Sequence, residues 1–153
     1  MYRNIFHKGK FLGVFQFTNE GAQKFCKRAK PNNIIDISAI TSIYRPGPLS
    51  ANVDKLYVNA KKNPSQRIFP HETVREVTDE TAGFLIFQEQ IALLAHKLGE
   101  DVSLDEGNLL RKLLTKKGTG KGNEAKDEIH AKFISGCMKK KIDKETAEAM
   151  WKN

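Results

Sequence analysis

Between Gln88 and Leu98 the apolar residues Ile91, Leu94, Ala95 and Leu98 fall at i, i+3, i+4 and i+7. That period belongs to an amphipathic α-helix. Gly99 is placed to end it. Ser103-Leu104-Asp105-Glu106 then opens the next helix with a capping-box pattern, Ser103 at the N-cap and Glu106 three residues in. The same alternation of helical blocks and punctuation runs along the chain. Thr18-Asn19 can cap a helix that reaches about Lys30, where Pro31 stops it. Ala51 to Lys62 reads as a short helix, and Pro70 opens another through about Val77. The Ser103-capped helix runs to about Lys117; Asn123 can cap one over roughly 124–140, and Asp143 a last one. The strand signal is confined to Gly13-Val14-Phe15-Gln16-Phe17, which alternates apolar and polar. The expected fold is therefore mostly α, with at most short strands near the N-terminus.

Three stretches are less regular. Ile34 to Tyr44 carries five isoleucines and fits either a helix buried on most sides or a strand; periodicity does not separate the two. Arg45-Pro46-Gly47-Pro48 reads as a rigid, non-regular corner, with Arg45 biased to an extended conformation by the following proline. Phe84-Leu85-Ile86-Phe87 reads as a short buried segment leading into a helix.

At 153 residues the chain suits one domain or one large subdomain of something bigger. Its longest apolar run, Ile91 to Ala95, excludes a membrane-spanning helix, which needs about 20 residues. No apolar leader stands at the N-terminus, so the two cysteines, Cys26 and Cys137, are expected as reduced thiols in a cytoplasm. With four scattered histidines they form no zinc-site spacing. The formal net charge is +8. From Asn108 to Lys141 ten basic residues face three acids, an excess of +7 that calls for an anionic partner or a solvated lysine-rich face.

Inside that stretch lies Leu109-Leu110-Arg111-Lys112-Leu113-Leu114-Thr115-Lys116-Lys117. On a helix the four leucines take one side and Arg111, Lys112 and Thr115 the other, with Lys116 at the edge. Lys112 and Lys116 are like charges one turn apart, which a bound anion would relieve; an arginine fork suits phosphate oxygens. The glycines of 118–122 do not form a phosphate loop, because Lys121 is followed by Gly122; they read as a hinge. No G-x-S-x-G, H-E-x-x-H or D-x-D occurs, so no catalytic residue and no metal site is nominated. Glu89, at a helix start, has the ordinary role of compensating the helix dipole.

Four segments, in order, resemble one family: Gly13-Val14-Phe15-Gln16-Phe17-x-x-Glu20-Gly21; Tyr44-Arg45-Pro46-Gly47-Pro48; Gly83-Phe84-Leu85-Ile86-Phe87-Gln88-Glu89-Gln90; and Leu109-Leu110-Arg111-Lys112-x-x-x-Lys116-Lys117. The family is the bacterial C-family replicative DNA polymerases, the DNA polymerase III alpha subunit, and the likeness covers about residues 11–153 within their fingers region. The resemblance implies one helical fingers segment over 1–153, with a motif-bearing part at 11–98 and a basic part at 103–153 after Gly99. It implies that Arg111 and Lys112 reach the triphosphate of the incoming dNTP, and that Arg45, Lys116 and Lys117 meet template–primer DNA. Chemistry in that family belongs to palm aspartates that hold magnesium. The resemblance places these upstream of the fingers and outside this chain, so the chain alone is expected to be inactive and to bind no cofactor. It also ends before the Phe-Asn-Lys-Ser-His type segment that follows the fingers. Lys112 stands where the family usually has a second arginine, and Leu114-Thr115 where it has Met-Gly; a lysine keeps the charge without the fork. Such divergence points to a virus-like or otherwise fast-evolving copy, either a split-gene product or a cut fragment.

The implied function is the fingers of a DNA-directed DNA polymerase in DNA replication. Its partners are the palm and remaining parts of the polymerase, DNA and dNTP. Its location is the cytoplasm of a bacterium or virus-infected bacterium, with no membrane. A stand-alone nucleic-acid-binding module and an inactive gene remnant remain as alternatives.

Overall fold

The computed structural model describes residues 1–115 and 123–152, without the side chains of Thr115 and Asn123. The predicted hinge at 118–122, the capping side chain of Asn123, and Lys116 and Lys117 lie outside what is described. The chain divides into two compact units, one of Met1–Ile68 with Asp79–Ile86, the other of Phe69–Thr78 with Phe87–Asn153. No strand occurs among the described residues.

The first unit holds α1 (Glu20–Ala29), α2 (Ile34–Ile43), α3 (Pro46–Ser50) and α4 (Val53–Lys62). Asn19 caps α1 as expected, its Oδ1 accepting the Gly21 amide at 2.8 Å. The isoleucine-rich segment is the helix α2, capped by Asn33, with Ile40 and Ile43 buried and Ile34 exposed. The region around Gly13–Phe17 is not a strand. Val14 N–H bonds Phe11 O and Phe17 N–H bonds Val14 O, with positive φ at Gly13 (75°) and Gln16 (67°). Those turns send Phe11 and Phe17 into a cluster with Phe6 and leave Leu12 and Phe15 exposed, so the apolar alternation had a different cause. The proline corner is also more regular than expected. Arg45 is extended (φ −134°, ψ 154°), but Pro46 starts α3, where its missing N–H costs nothing.

A buried ion pair ties this unit together. Asp36, 4% exposed, meets Lys61 Nζ at 2.5 Å and accepts the Asn32 amide at 2.7 Å. The Tyr57 hydroxyl donates to the other carboxylate oxygen at 3.4 Å; burial, first, and the Asp36 charge push its ionisation up. One salt bridge thereby joins α2, α4 and the turn after α1.

The second unit holds α5 (Glu72–Thr78), α6 (Gln88–Leu98), α7 (Leu104–Thr115), α8 (Asn123–Lys139) and α9 (Lys144–Lys152). Leu94 and Leu98 of α6 pack with Phe133 and Cys137 of α8, Val77 of α5 and Ala147 of α9. Ala95, Val102, Leu110 and Ile129 form an adjoining cluster. The Ser103–Glu106 capping box is present in both halves, at 3.1 and 2.7 Å. Asp143 caps α9 through the Thr146 amide at 2.9 Å. Cys26 and Cys137 are free and fully buried, and burial raises their thiols to about 12 and about 11, which leaves them unreactive. The Phe84–Phe87 segment is less buried than expected, with Leu85 40% exposed.

Two helix glycines set the spacing of this unit. A Cβ on Gly107 would strike the Ala92 carbonyl oxygen of α6, and one on Gly136 would strike backbone at Leu98, Gly99 and Glu100. On helix propensity alone Gly136→Ala should gain about 1 kcal/mol. The close approach reverses the sign: the expected result is a loss of about 1–3 kcal/mol in urea unfolding. Equal or higher stability of the alanine variant would contradict the packing described.

Glu106 also receives Lys132 Nζ at 2.6 Å. That ammonium, then the Ser103 amide, hold its carboxyl down at about 2, from an ordinary 4.5. A depressed folded pKa contributes stability above the unfolded value that is lost as pH falls through the folded one. Unfolding midpoints should therefore drop between about pH 5 and pH 2, and Glu106→Gln should make that drop shallower. An identical pH profile for the variant would refute the assignment.

Candidate functional site

The four motif segments meet in two pairs, one pair in each unit. In the first, the Tyr44 hydroxyl donates to Asn19 Oδ1 at 2.9 Å, the same oxygen that caps α1. Gly21 lies so close under Tyr44 that a Cβ there would strike the phenol oxygen. A cleft of about 260 Å³ opens beside this junction, with Gln16, Phe17, Tyr44 and Arg45 among its walls. Arg45 is exposed and makes no ion pair or side-chain hydrogen bond among the described residues.

In the second unit α6 and α7 run antiparallel. Gly107 lies beside Ala92; one turn onward in α7 and one turn back in α6, Arg111 lies beside Gln88. Arg111 Nη1 donates to Gln88 Oε1 at 3.1 Å and stands 4.0 Å from Glu89 Oε1. Glu89 is 80% exposed, so that ion pair contributes little; it does offset a cation placed near the positive end of α6. Gln90 has a separate task. Its Oε1 accepts the Phe87 amide at 2.9 Å and its Nε2 donates to Val77 O at 3.0 Å, which fixes the start of α6 against α5.

The leucine-faced helix needs correcting. Of its four leucines only Leu110 is buried, at 2% exposed, while Leu109 and Leu114 are 42% and 47% exposed. The contact with α6 runs through Gly107 and Leu110, and it carries Arg111 to a half-buried place, its side chain 26% exposed. Lys112 faces solvent. Gln88 was visible in the motif but not as the partner of Arg111, because the pairing depends on the helix register.

The basic stretch also reads differently in three dimensions. Its cations Arg111, Lys132 and Lys139 reach Glu89, Glu106 and Glu100, all outside it in sequence. Counted by unit, the second carries fourteen basic and thirteen acidic residues, an excess of +1. The first carries twelve and five, an excess of +7. No cluster of three or more His, Cys, Asp or Glu capable of holding a metal occurs among the described residues. No helix among them is long and apolar enough to cross a membrane.

These features define a helical module whose motif residues are arginines and amides rather than an acid–base or metal-ligand set. The chain belongs to the family of the bacterial DNA polymerase III alpha subunit finger domain, whose family model matches residues 1–141. It is 33% identical over 97% of its length to the DNA polymerase III subunit alpha of Bacillus subtilis, and 34% identical over 97% to that of Borreliella burgdorferi. The Treponema pallidum subunit is 35% identical over 92%. The chain spans only 13%, 12% and 12% of those relatives' lengths.

Proposed function

We propose that this chain serves as the fingers of a DNA-directed DNA polymerase in DNA replication, with Arg111 contacting the triphosphate of the incoming dNTP. The observation that carries this is the meeting of two family motifs at one point, Arg111 against Gln88 at the first turn of α6. A guanidinium steadied by an amide is held in a fixed plane, the geometry that a grip on phosphate oxygens needs. Lys112, exposed on the same helix, adds charge without directionality. Arg45, extended ahead of Pro46, is assigned to DNA together with Lys116 and Lys117, in the cytoplasm of a bacterial or virus-infected bacterial cell.

Phosphoryl transfer and its magnesium are assigned to a palm supplied by the rest of the polymerase. The purified chain alone should accordingly give no primer extension. Extension that survives removal of host polymerase and is abolished by Arg111→Ala would overturn that division of labour.

Combined with its palm, the chain should show Arg111→Ala raising the dNTP requirement of primer extension roughly ten- to a hundredfold, the loss of about 1.5–3 kcal/mol from a charged hydrogen bond. Lys112→Ala should cost less. Helical circular dichroism should be kept in both. Wild-type dNTP dependence in Arg111→Ala, or unfolding without a specific kinetic effect, would reject the triphosphate role.

A further inference from the structure

The first unit carries most of the chain's excess charge. Of its five carboxylates, Glu20, Asp36, Asp54 and Asp79 are engaged by Lys24, Lys61, Arg28 and Arg67. Of the eight cations left over, Lys8, Lys10, Lys27 and Lys30 lie on segments that meet at the C-terminal end of α1. The N-terminal turn Arg3–His7 folds back there, and the His7 ring Nε2–H donates to the Pro31 carbonyl at 2.8 Å. Gly9 follows in the left-handed region (φ 71°) directly beneath the Lys27 side chain, in contact with its Cε and Nζ if it carried a Cβ. Lys8 and Lys10 flank that glycine, and Lys30 caps the helix one residue before Pro31. All four lysines are exposed and none makes an ion pair among the described residues.

The fold does not need this arrangement. Lys27 and Lys30 oppose the negative end of the α1 dipole, but Lys8 and Lys10 come from outside the helix and add only like-charge repulsion. Phe6 and Phe11, buried on either side of them, hold the hook in place whatever its charge. Lys8, Lys10, Lys27 and Lys30, carried on segments that the His7–Pro31 bond and the Gly9–Lys27 approach bring together, with no carboxylate engaged among them, match a run of phosphodiesters.

We propose that the hook Lys8–Lys10 together with Lys27 and Lys30 is a binding surface for the sugar–phosphate backbone of duplex DNA, separate from the basic stretch of residues 108–141. This rests on the reading of the chain as a DNA-binding fingers module and names where the unit's sequence-independent electrostatic affinity resides. Four phosphate contacts release counterions worth about 0.9 each in the slope of log K against log salt.

The test is fluorescence anisotropy of the full chain with a labelled 20-base-pair duplex at several salt concentrations. The variant is Lys8→Gln, Lys10→Gln, Lys27→Gln and Lys30→Gln combined; its counterpart carries arginine at the same four positions. The expected result is a slope shallower by about three to four in the glutamine variant and near wild type in the arginine variant. Circular dichroism melting should fall little in the glutamine variant, because relief of repulsion offsets the lost dipole compensation by Lys27 and Lys30; if it falls further, the arginine variant and single glutamine substitutions, each costing about 0.9 in slope, decide. An unchanged slope in the glutamine variant overturns the surface while leaving DNA binding intact. Absence of duplex binding by the wild-type chain at low salt overturns both. Loss of binding to poly-glutamate with duplex binding retained would also overturn it, in favour of an acidic protein partner.

Discussion

The contact of Gly107 with the backbone of Ala92 is the constraint on which the second unit depends. Because no side chain separates α6 from α7 at that point, the two helices approach as closely as backbones can. The register is then fixed along both of them. His96, whose ring Nδ1–H donates to the Val102 carbonyl at 2.6 Å, closes the turn at one end, and Arg111 meets Gln88 near the other. Gly136 repeats the device where α8 crosses the end of α6. The loop residue Glu100 is held there too, by the Lys132 carbonyl through its amide and by Ser135 and Lys139 through its carboxylate. Its acidity is strengthened first by Lys139 and then by Ser135. Arginine placement is thus a consequence of glycine placement one helical turn away.

Much of the helical architecture was legible because caps are local. Asn19, Ser103 with Glu106, and Asp143 each act within three residues, and each sits where a helix begins. The turns at Gly13–Phe17 were not legible, because the deciding feature is a left-handed Gln16, a residue type that gives no such signal. The leucines of α7 misled for another reason. Amphipathic pattern identifies which residues could be buried, but the partner helix decides which are, and α6 selects Gly107 and Leu110.

The candidate site was legible to a similar degree. Arg111 stood out by type and by motif, while Gln88 did not, since nothing in sequence links positions that far apart. Charge was the most deceptive quantity. Three cations of the lysine-rich window from Asn108 to Lys141 are met by Glu89, Glu100 and Glu106 from outside it once the helices pack. A second group of cations lies at the other end of the chain, where spacing in sequence hides the meeting of their segments: the stretch of Lys8 and Lys10 comes to Lys27 through the His7–Pro31 bond and the bare Gly9.

The central claim is that two family motifs act as one site because the register of α6 and α7 sets Arg111 on Gln88. A double-mutant cycle on the chain combined with its palm tests this directly, with kcat/KM for dNTP measured in wild type, Gln88→Ala, Arg111→Ala and the double variant. Residues that touch and share one task couple by about 0.5–3 kcal/mol. The expected result is that Gln88→Ala impairs nucleotide use on its own and adds little once Arg111 is gone. Strict additivity of the two losses, or a Gln88→Ala enzyme identical to wild type, would contradict the account.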